Sequence, residues 1–486
     1  MDNAMEKPRP VFGARECLML PAALCLGILW QNVFTLEGLA NLTFGPHPGP
    51  ALGAAVFTAL IWAFVLLFLG RSARWNAYSI GLGAGVGLLT LFCVLTGCGG
   101  IRLVNFVIIF CGSVLAFFSI SGKASEALDS AASAGEAVGL FFMAAFTNWG
   151  KPFMALGAMK KGGSGSQALT GALLSLPVLI VVAALFAGAD QVFAGYFTDI
   201  SDWFSAPDIS TRIFRGLLML FWSLCFFSCL YFAVHGKSAG AVSTKKERRA
   251  GAPAAYVTAL ALLALVHIAF CAVQFAYLFG GAEAAAMQGG WAEYARRGFY
   301  QLVLVAAIDL GFVLFCASKG GGSLAERLLS VLICLLTLVI LASAFQRMRL
   351  YIAAYGLSLL RVMTLWAMAF ILLSIVLAVV KILRPGFKFW PCFAALGLYG
   401  WVLFNAAGVD ARIAEYNVDA YLDGRLAQVD TAYLSNLSPS ALPALERLYE
   451  KEPDEALAQC ISSMRENVPG SWIEWSLPLS RLSEDA

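Results

Sequence analysis

The sequence predicts an all-α fold: a polytopic bundle of about eleven transmembrane helices with a short, mostly helical C-terminal tail. Three observations predict it. Of the 486 residues, 60% are hydrophobic and only 13% charged, about half the charged share of an ordinary soluble domain. The apolar residues gather into runs long enough to cross a bilayer, which takes about 20 residues per helix. Lysine and arginine fall in short clusters between those runs, as in loops that set membrane orientation. A soluble core has nowhere to bury so much apolar surface, whereas a bilayer has.

In chain order the expected spans are Leu18–Phe34, Ala51–Leu69, Ala77–Leu95, Leu103–Ile120, Ala168–Ala187, Phe214–Val234, Tyr256–Phe279, Phe299–Cys316, Leu328–Phe345, Val362–Val380 and Phe389–Ala407. The first follows Lys7, Arg9 and Arg15 and has no clean cleavage site after it, so it reads as a membrane helix and not a processed signal. Pro177 kinks the fifth, which neighbouring helices can tolerate. The third carries Gly81, Gly83, Gly85 and Gly87, which suits close approach of another helix. Residues 1–17 form an N-terminal segment, 18–407 the membrane domain and 408–486 a soluble tail. The 121–167 stretch is expected to hold a short helix at the interface, anchored by Trp149 and Lys151. In the tail, Ala441–Tyr449 reads as an amphipathic helix with Leu442, Leu445 and Leu448 on one side.

Basic residues set the expected orientation. With the N-terminus in the cytoplasm, the loops on that side hold 19 Lys and Arg and the opposite loops hold 8. The positive-inside rule then places the N-terminus inside, and an odd helix count places the tail outside.

Other chemistries leave no mark. The net charge of +3 and the absence of basic stripes with interleaved aromatics argue against nucleic acid. The three histidines, His47, His235 and His267, are scattered, and no CxxC occurs among the twelve cysteines. No metal site and no cofactor are therefore expected. Asp190, Asp199, Asp202 and Asp208 follow the fifth run without ordered ligand spacing, and read as a short surface helix. The expected partners are membrane lipids and other membrane proteins.

The candidate functional residues are polar groups that the apolar runs isolate. Glu293, Arg296 and Arg297 precede the eighth run. Arg347, Arg349, Tyr351, Tyr355 and Arg361 follow the ninth. A helical continuation aligns Arg347, Tyr351 and Tyr355 on one side. These residues form an aromatic belt with snorkelling arginines, a site for an anion or lipid headgroup, or a catalytic cluster. His267 and Asp309 lie near the middles of the seventh and eighth runs, where an ionisable group is costly unless paired or facing water. They are candidates for a pair across neighbouring helices.

The segments WAEYARRGFYQLVLVAAIDL (291–310) and LTLVILASAFQRMRLYIAAYGLSLLR (336–361), with ARIAEYN (411–417) and DTAYLSNLSPSALP (430–443), resemble the uncharacterised bacterial inner-membrane families DUF4153 and DUF4173. The resemblance implies a bacterial multi-pass inner-membrane protein and no established activity, substrate or cofactor. At Asp309 the chain departs from the family's usual neutral polar residue, so the resemblance implies no proton relay there. A scaffold or regulatory partner of envelope proteins is the default expectation. A small-solute or ion transporter with a polar site near Arg297, Asp309 and Arg347 is the first alternative, and a membrane enzyme acting on lipid-linked substrate the second. Whichever holds, Phe299–Cys316 and Leu328–Phe345 are expected to pack together. Arg347→Ala is expected to impair function more than Lys245→Ala in a growth or transport assay.

Overall fold

The computed structural model describes residues 14–35, 49–123, 131–158, 209–236, 253–279, 299–319, 322–466 and 471–484; every regular element among them is helical. In chain order the helices are α1 (Ala14–Val33), α2 (Leu52–Leu69), α3 (Ala77–Leu95), α4 (Gly99–Ile120), α5 (Ala131–Phe146), α6 (Lys151–Ala158), α7 (Ile209–His235), α8 (Pro253–Phe279), α9 (Phe299–Lys319), α10 (Leu324–Tyr355), α11 (Leu359–Leu383) and α12 (Phe389–Ala406). The tail adds α13 (Val409–Leu422), α14 (Thr431–Leu437), α15 (Leu442–Lys451), α16 (Glu455–Glu466) and α17 (Leu477–Glu484). Ten of the eleven expected runs fall on described helices. Nine of these are long and apolar enough to cross a membrane, and in α9 the apolar stretch Gln301–Ala317 is shorter. The fifth run, the acidic loop after it and the basic loop with Lys245 lie outside the described residues.

Local chemistry sets the helix ends. Asn76 and Ser79 form a reciprocal capping box at the start of α3. Ser323 caps α10 and Ser358 caps α11. α10 runs through Arg347 and Arg349 to Tyr355, ten residues beyond the expected Phe345. The sequence stops reading as apolar there, but nothing breaks the backbone until Gly356, which has a φ of +73°.

Two large apolar clusters hold most of the described helices, and a small third one joins α5 to α4 and α7. One apolar cluster joins α1, α2, α3, α4, α7, α12 and the tail. A second joins α8, α9, α10 and α11, with α9 against α10 as expected. α11 is the seam: Leu359, Val362, Met363 and Trp366 pack on the first cluster, and Met368, Ile371 and Ile375 belong to the second. The glycine-rich α3 meets α12 closely, since a Cβ on Gly85 would collide with Leu398. On the outside of α8, Leu262, Leu265 and Val266 are 61–64% exposed. Such a face suits lipid and not water.

Contacts between helix ends sort the loops onto two sides. Arg74 N–H donates to Ile120 O (2.7 Å), Lys123 Nζ donates to Gly236 O, and His235 Nε2 lies 3.0 Å from Glu16 Oε1. The starts of α1 and α3 and the ends of α4 and α7 thus share one side. Asn405 at the end of α12 bonds Asn105 near the start of α4, on the opposite side, so α12 begins on the first side, and the 384–388 turn and the start of α10 lie there too. Arg71, Arg74, Lys123, Arg327, Lys381, Arg384 and Lys388 gather on this basic side. Desolvation, and then Arg74, holds the Lys123 ammonium below the usual lysine range.

The tail covers the other side. Ile473 O accepts from Ala51 and Gly53 N–H (2.9 and 3.0 Å), and Trp475 O from Leu52 N–H (3.2 Å), completing the first turn of α2. The amphipathic tail helix is α15, with Leu442, Leu445 and Leu448 buried.

Candidate functional site

A buried polar group sits where α8, α9 and α10 meet. His267 is the fifteenth residue of α8, Asp309 the eleventh of α9 and Thr337 the fourteenth of α10, so all three lie near the middle of their helices. His267 Nε2 is 2.8 Å from Asp309 Oδ2, and Thr337 Oγ1 is 3.0 Å from the same oxygen. The three residues are 5%, 3% and 1% exposed.

The hydrogen bonds fix the proton inventory. His267 Nδ1 lies 2.9 Å from Leu263 O. A carbonyl can only accept, so Nδ1 carries a proton and Nε2 is the nitrogen turned to Asp309. One further proton occupies the 2.8 Å gap, on Asp309 as a neutral pair or on His267 as an imidazolium–carboxylate pair. The Thr337 hydroxyl has one proton and two acceptors, Asp309 Oδ2 and Ile333 O at 2.8 Å. It donates to Oδ2 when Asp309 is ionised, and turns to Ile333 O when Asp309 holds the proton. The group can therefore change protonation without leaving a donor unpaired. That matters at this depth, where a lone carboxylate costs about 2.5–3.5 kcal/mol on insertion scales. Asp309 Oδ1 takes no hydrogen bond from the described residues.

The arginine and tyrosine residues sit apart from this group. Arg347 is ten residues beyond Thr337 on α10, about 15 Å along the axis and so near the hydrocarbon edge. Arg361 Nη1 donates to Tyr355 O (2.9 Å) and Gly356 O (2.6 Å), and its guanidinium stacks over the Tyr351 ring at 4.2 Å. Arg361 therefore closes the C-terminus of α10. Tyr351 and Tyr355 pack edge to face, 5.2 Å apart. Arg349 and Tyr355 are exposed and Arg347 half-buried. Glu293, Arg296 and Arg297 lie outside the described residues.

Sequence reading passed over several other buried polar groups. Thr337 gave no signal, because threonine is common in apolar helices. Arg102 is wholly buried, with Nε donating to Cys93 O (3.1 Å) and Nη2 to Thr96 O (2.5 Å), so it caps α3. Asn105 and Asn405 exchange amide hydrogen bonds at 2.8 and 3.0 Å, and Trp401 Nε1 donates to Asn105 Oδ1 at 2.6 Å. The signal for that lock was present: two amides in apolar runs, each needing a partner. The tail ion pairs Arg447–Asp419 and Arg465–Glu446 are largely exposed and add little.

Three of the segments quoted above converge at the α10–α11 corner. Asn417 clamps Leu357, accepting from its N–H (2.6 Å) and donating to its carbonyl (2.8 Å). Tyr433 Oη accepts from Leu359 N–H at 2.7 Å, and Ser438 Oγ donates to buried Asp410 at 2.6 Å. The motif residues thus hold the tail to the membrane helices. No curated protein and no solved structure matches the chain. The model of the domain of unknown function DUF4153 matches residues 83–448, a span that starts within the glycine-rich helix and takes in the His267–Asp309–Thr337 group and the clamped corner. The chain therefore belongs to the DUF4153 family of multi-pass membrane proteins.

Proposed function

We propose that the protein is a small-solute or ion transporter of the bacterial inner membrane, and that its translocated or coupling ion is a proton held between His267 and Asp309. The observation that carries this reading is a titratable pair, 2.8 Å apart and served by a two-position hydroxyl, at the middle of three packed helices. A scaffold needs no such group at that depth, where it is costly. An enzyme for lipid-linked substrate would gather reactive groups at one membrane face, and the Tyr351–Arg361 cluster at the edge is spent on closing α10. Arg347 and Arg349, at the rim on the tail side, suit attraction of an anionic solute or a lipid phosphate. The reading rests on this chain's own residues. By the basic-loop bias, the N-terminus is cytoplasmic and the tail extracytoplasmic.

The test is a pH jump applied to proteoliposomes on a solid-supported membrane, which registers proton binding as a transient current without a known solute. Wild type should give the current. Asp309→Asn should lose it while remaining folded, because the amide can donate to His267 Nε2. A wild-type current from Asp309→Asn refutes the reading.

A further inference from the structure

Between the basic side and the membrane centre, α10 carries a row of buried polar residues: Glu326, Ser330, Cys334 and Thr337. At 100° and 1.5 Å per residue they fall within a sector of about 80° and climb about 16 Å. They are 2%, 1%, 3% and 1% exposed. Beyond Thr337 the same sector holds Leu341, Ala344 and Met348, all buried and apolar. The polar row is therefore one-sided: it starts at the basic side and ends at the His267–Asp309 pair.

Glu326 has a local role that explains part of its placement. Its N–H donates to Ser323 Oγ (3.3 Å), and its Oε2 accepts from Gly322 N–H (3.0 Å), a cap on the first turn of α10. A cap uses one oxygen and works well in water. It accounts neither for the near-complete burial of this carboxylate nor for Oε1, which takes no hydrogen bond from the described residues. The neighbours add little charge. On α9, Cys316 lies within electrostatic reach of Glu326, and on α10 Cys334 lies within reach of Asp309. Arg327 follows Glu326 in the chain and is exposed. From α8, the Tyr256 ring packs on Phe315, and from α11, Lys381 Nζ is taken by the Pro385 and Phe387 carbonyls.

We infer that Glu326, Ser330 and Cys334 line a proton half-path from the basic side to the His267–Asp309 pair, with Glu326 as its entry group. The path is closed beyond Thr337 by Leu341, Ala344 and Met348. The inference rests on the transport reading above and names the side from which the proton comes. Successive groups are about 6, 6 and 4.5 Å apart along the axis, distances that one water molecule bridges with two hydrogen bonds. The step balances as proton transfer alone. Solvent gives a proton to the Glu326 carboxylate, and each group along the row accepts one and passes one on. Asp309 ends protonated and Glu326 returns to carboxylate.

Glu326→Gln separates the relay from the cap, because the glutamine oxygen still accepts from Gly322 N–H but cannot carry the proton. The pH-jump current is measured on vesicles sorted by orientation. Jumps on the Glu326 side should relax at least about tenfold more slowly in Glu326→Gln, as expected for loss of a positioned proton carrier. The amplitude should be retained, and jumps on the tail side should relax at the wild-type rate. Ser330→Ala, which leaves the cap untouched, should slow the same limb and decides the matter if Glu326→Gln does not fold. Wild-type relaxation in these variants, with the current abolished in Asp309→Asn, overturns the half-path and leaves the transport reading standing. A wild-type current in Asp309→Asn overturns both.

Discussion

At His267 the decisive atom is Nδ1. Its contact with Leu263 O fixes the tautomer and leaves one mobile proton in the His267–Asp309 pair. The consequence for stability is asymmetric. His267→Ala leaves the buried Asp309 carboxyl without its imidazole partner, and should cost about 1–3 kcal/mol. Asp309→Asn keeps a donor facing Nε2 and should cost less. The double variant His267→Ala/Asp309→Ala should fall short of the sum of the two single alanine losses, because no polar group is then left stranded. Thermal unfolding in lipid nanodiscs measures all of these. Cys98, just before α4, gives a second check at this scale. Burial pushes its thiol up to about 11, so it stays a protonated thiol at pH 8. It should resist a water-soluble maleimide there while the less buried Cys460 reacts.

Among the elements, α10 carries Thr337 and the buried polar row below it, and it also shows what sequence can and cannot reveal. Its existence was legible from hydropathy. Its apolar run ends at Phe345, before charged Arg347 and Arg349, and the helical continuation through Tyr351 to Tyr355 was legible only as an alignment of side chains, with no sign of where it stops. Helix propensity and tertiary contacts decide that stop, and a hydropathy window reads neither. His267 and Asp309 stood out because ionisable groups are rare in apolar runs. Thr337, Ser330 and Cys334 did not, since small polar residues bond their own helix without penalty. Their importance comes from which face is buried, and only packing sets that. The stop at Gly356 is testable. A Cβ there would be strained by the positive φ and would collide with Asn417 Oδ1. Gly356→Ala should therefore destabilise by about 1–3 kcal/mol. Arg361→Ala, which removes the closing hydrogen bonds to Tyr355 O and Gly356 O, should cost about 1–2 kcal/mol. Both are read as midpoint shifts on unfolding.

Across the whole molecule, two packed groups meet along α11, and the tail is fastened to the first group and to the α10–α11 corner. Leu341, Ala344 and Met348, which close the proposed path above Thr337, are packed inside the second group, so the proposed transport needs α10 to shift against α8, α9 and α11. Locking that corner should then block turnover without touching the His267–Asp309 pair. The basic side of the molecule should face the cytoplasm. Alkaline phosphatase fused after residue 484 should be active, and the same enzyme inserted in the 385–387 turn should be inactive; the reverse pattern would invert the assigned orientation.

The backbone contacts of Ile473 and Trp475 also bear on the order in which the protein can be made. α2 leaves the ribosome long before the carbonyls of Ile473 and Trp475 that satisfy its opening turn. Membrane insertion of α2 therefore precedes its completion by the synthesis of all the membrane helices that follow it. Until residues 473–475 arrive, the Ala51, Leu52 and Gly53 amides have only water or lipid headgroups to bond. A chain cut short before residue 473 should insert yet keep this edge open, in a form that quality-control proteases can tell from the finished protein. Limited proteolysis of a nascent-length series would date the closure.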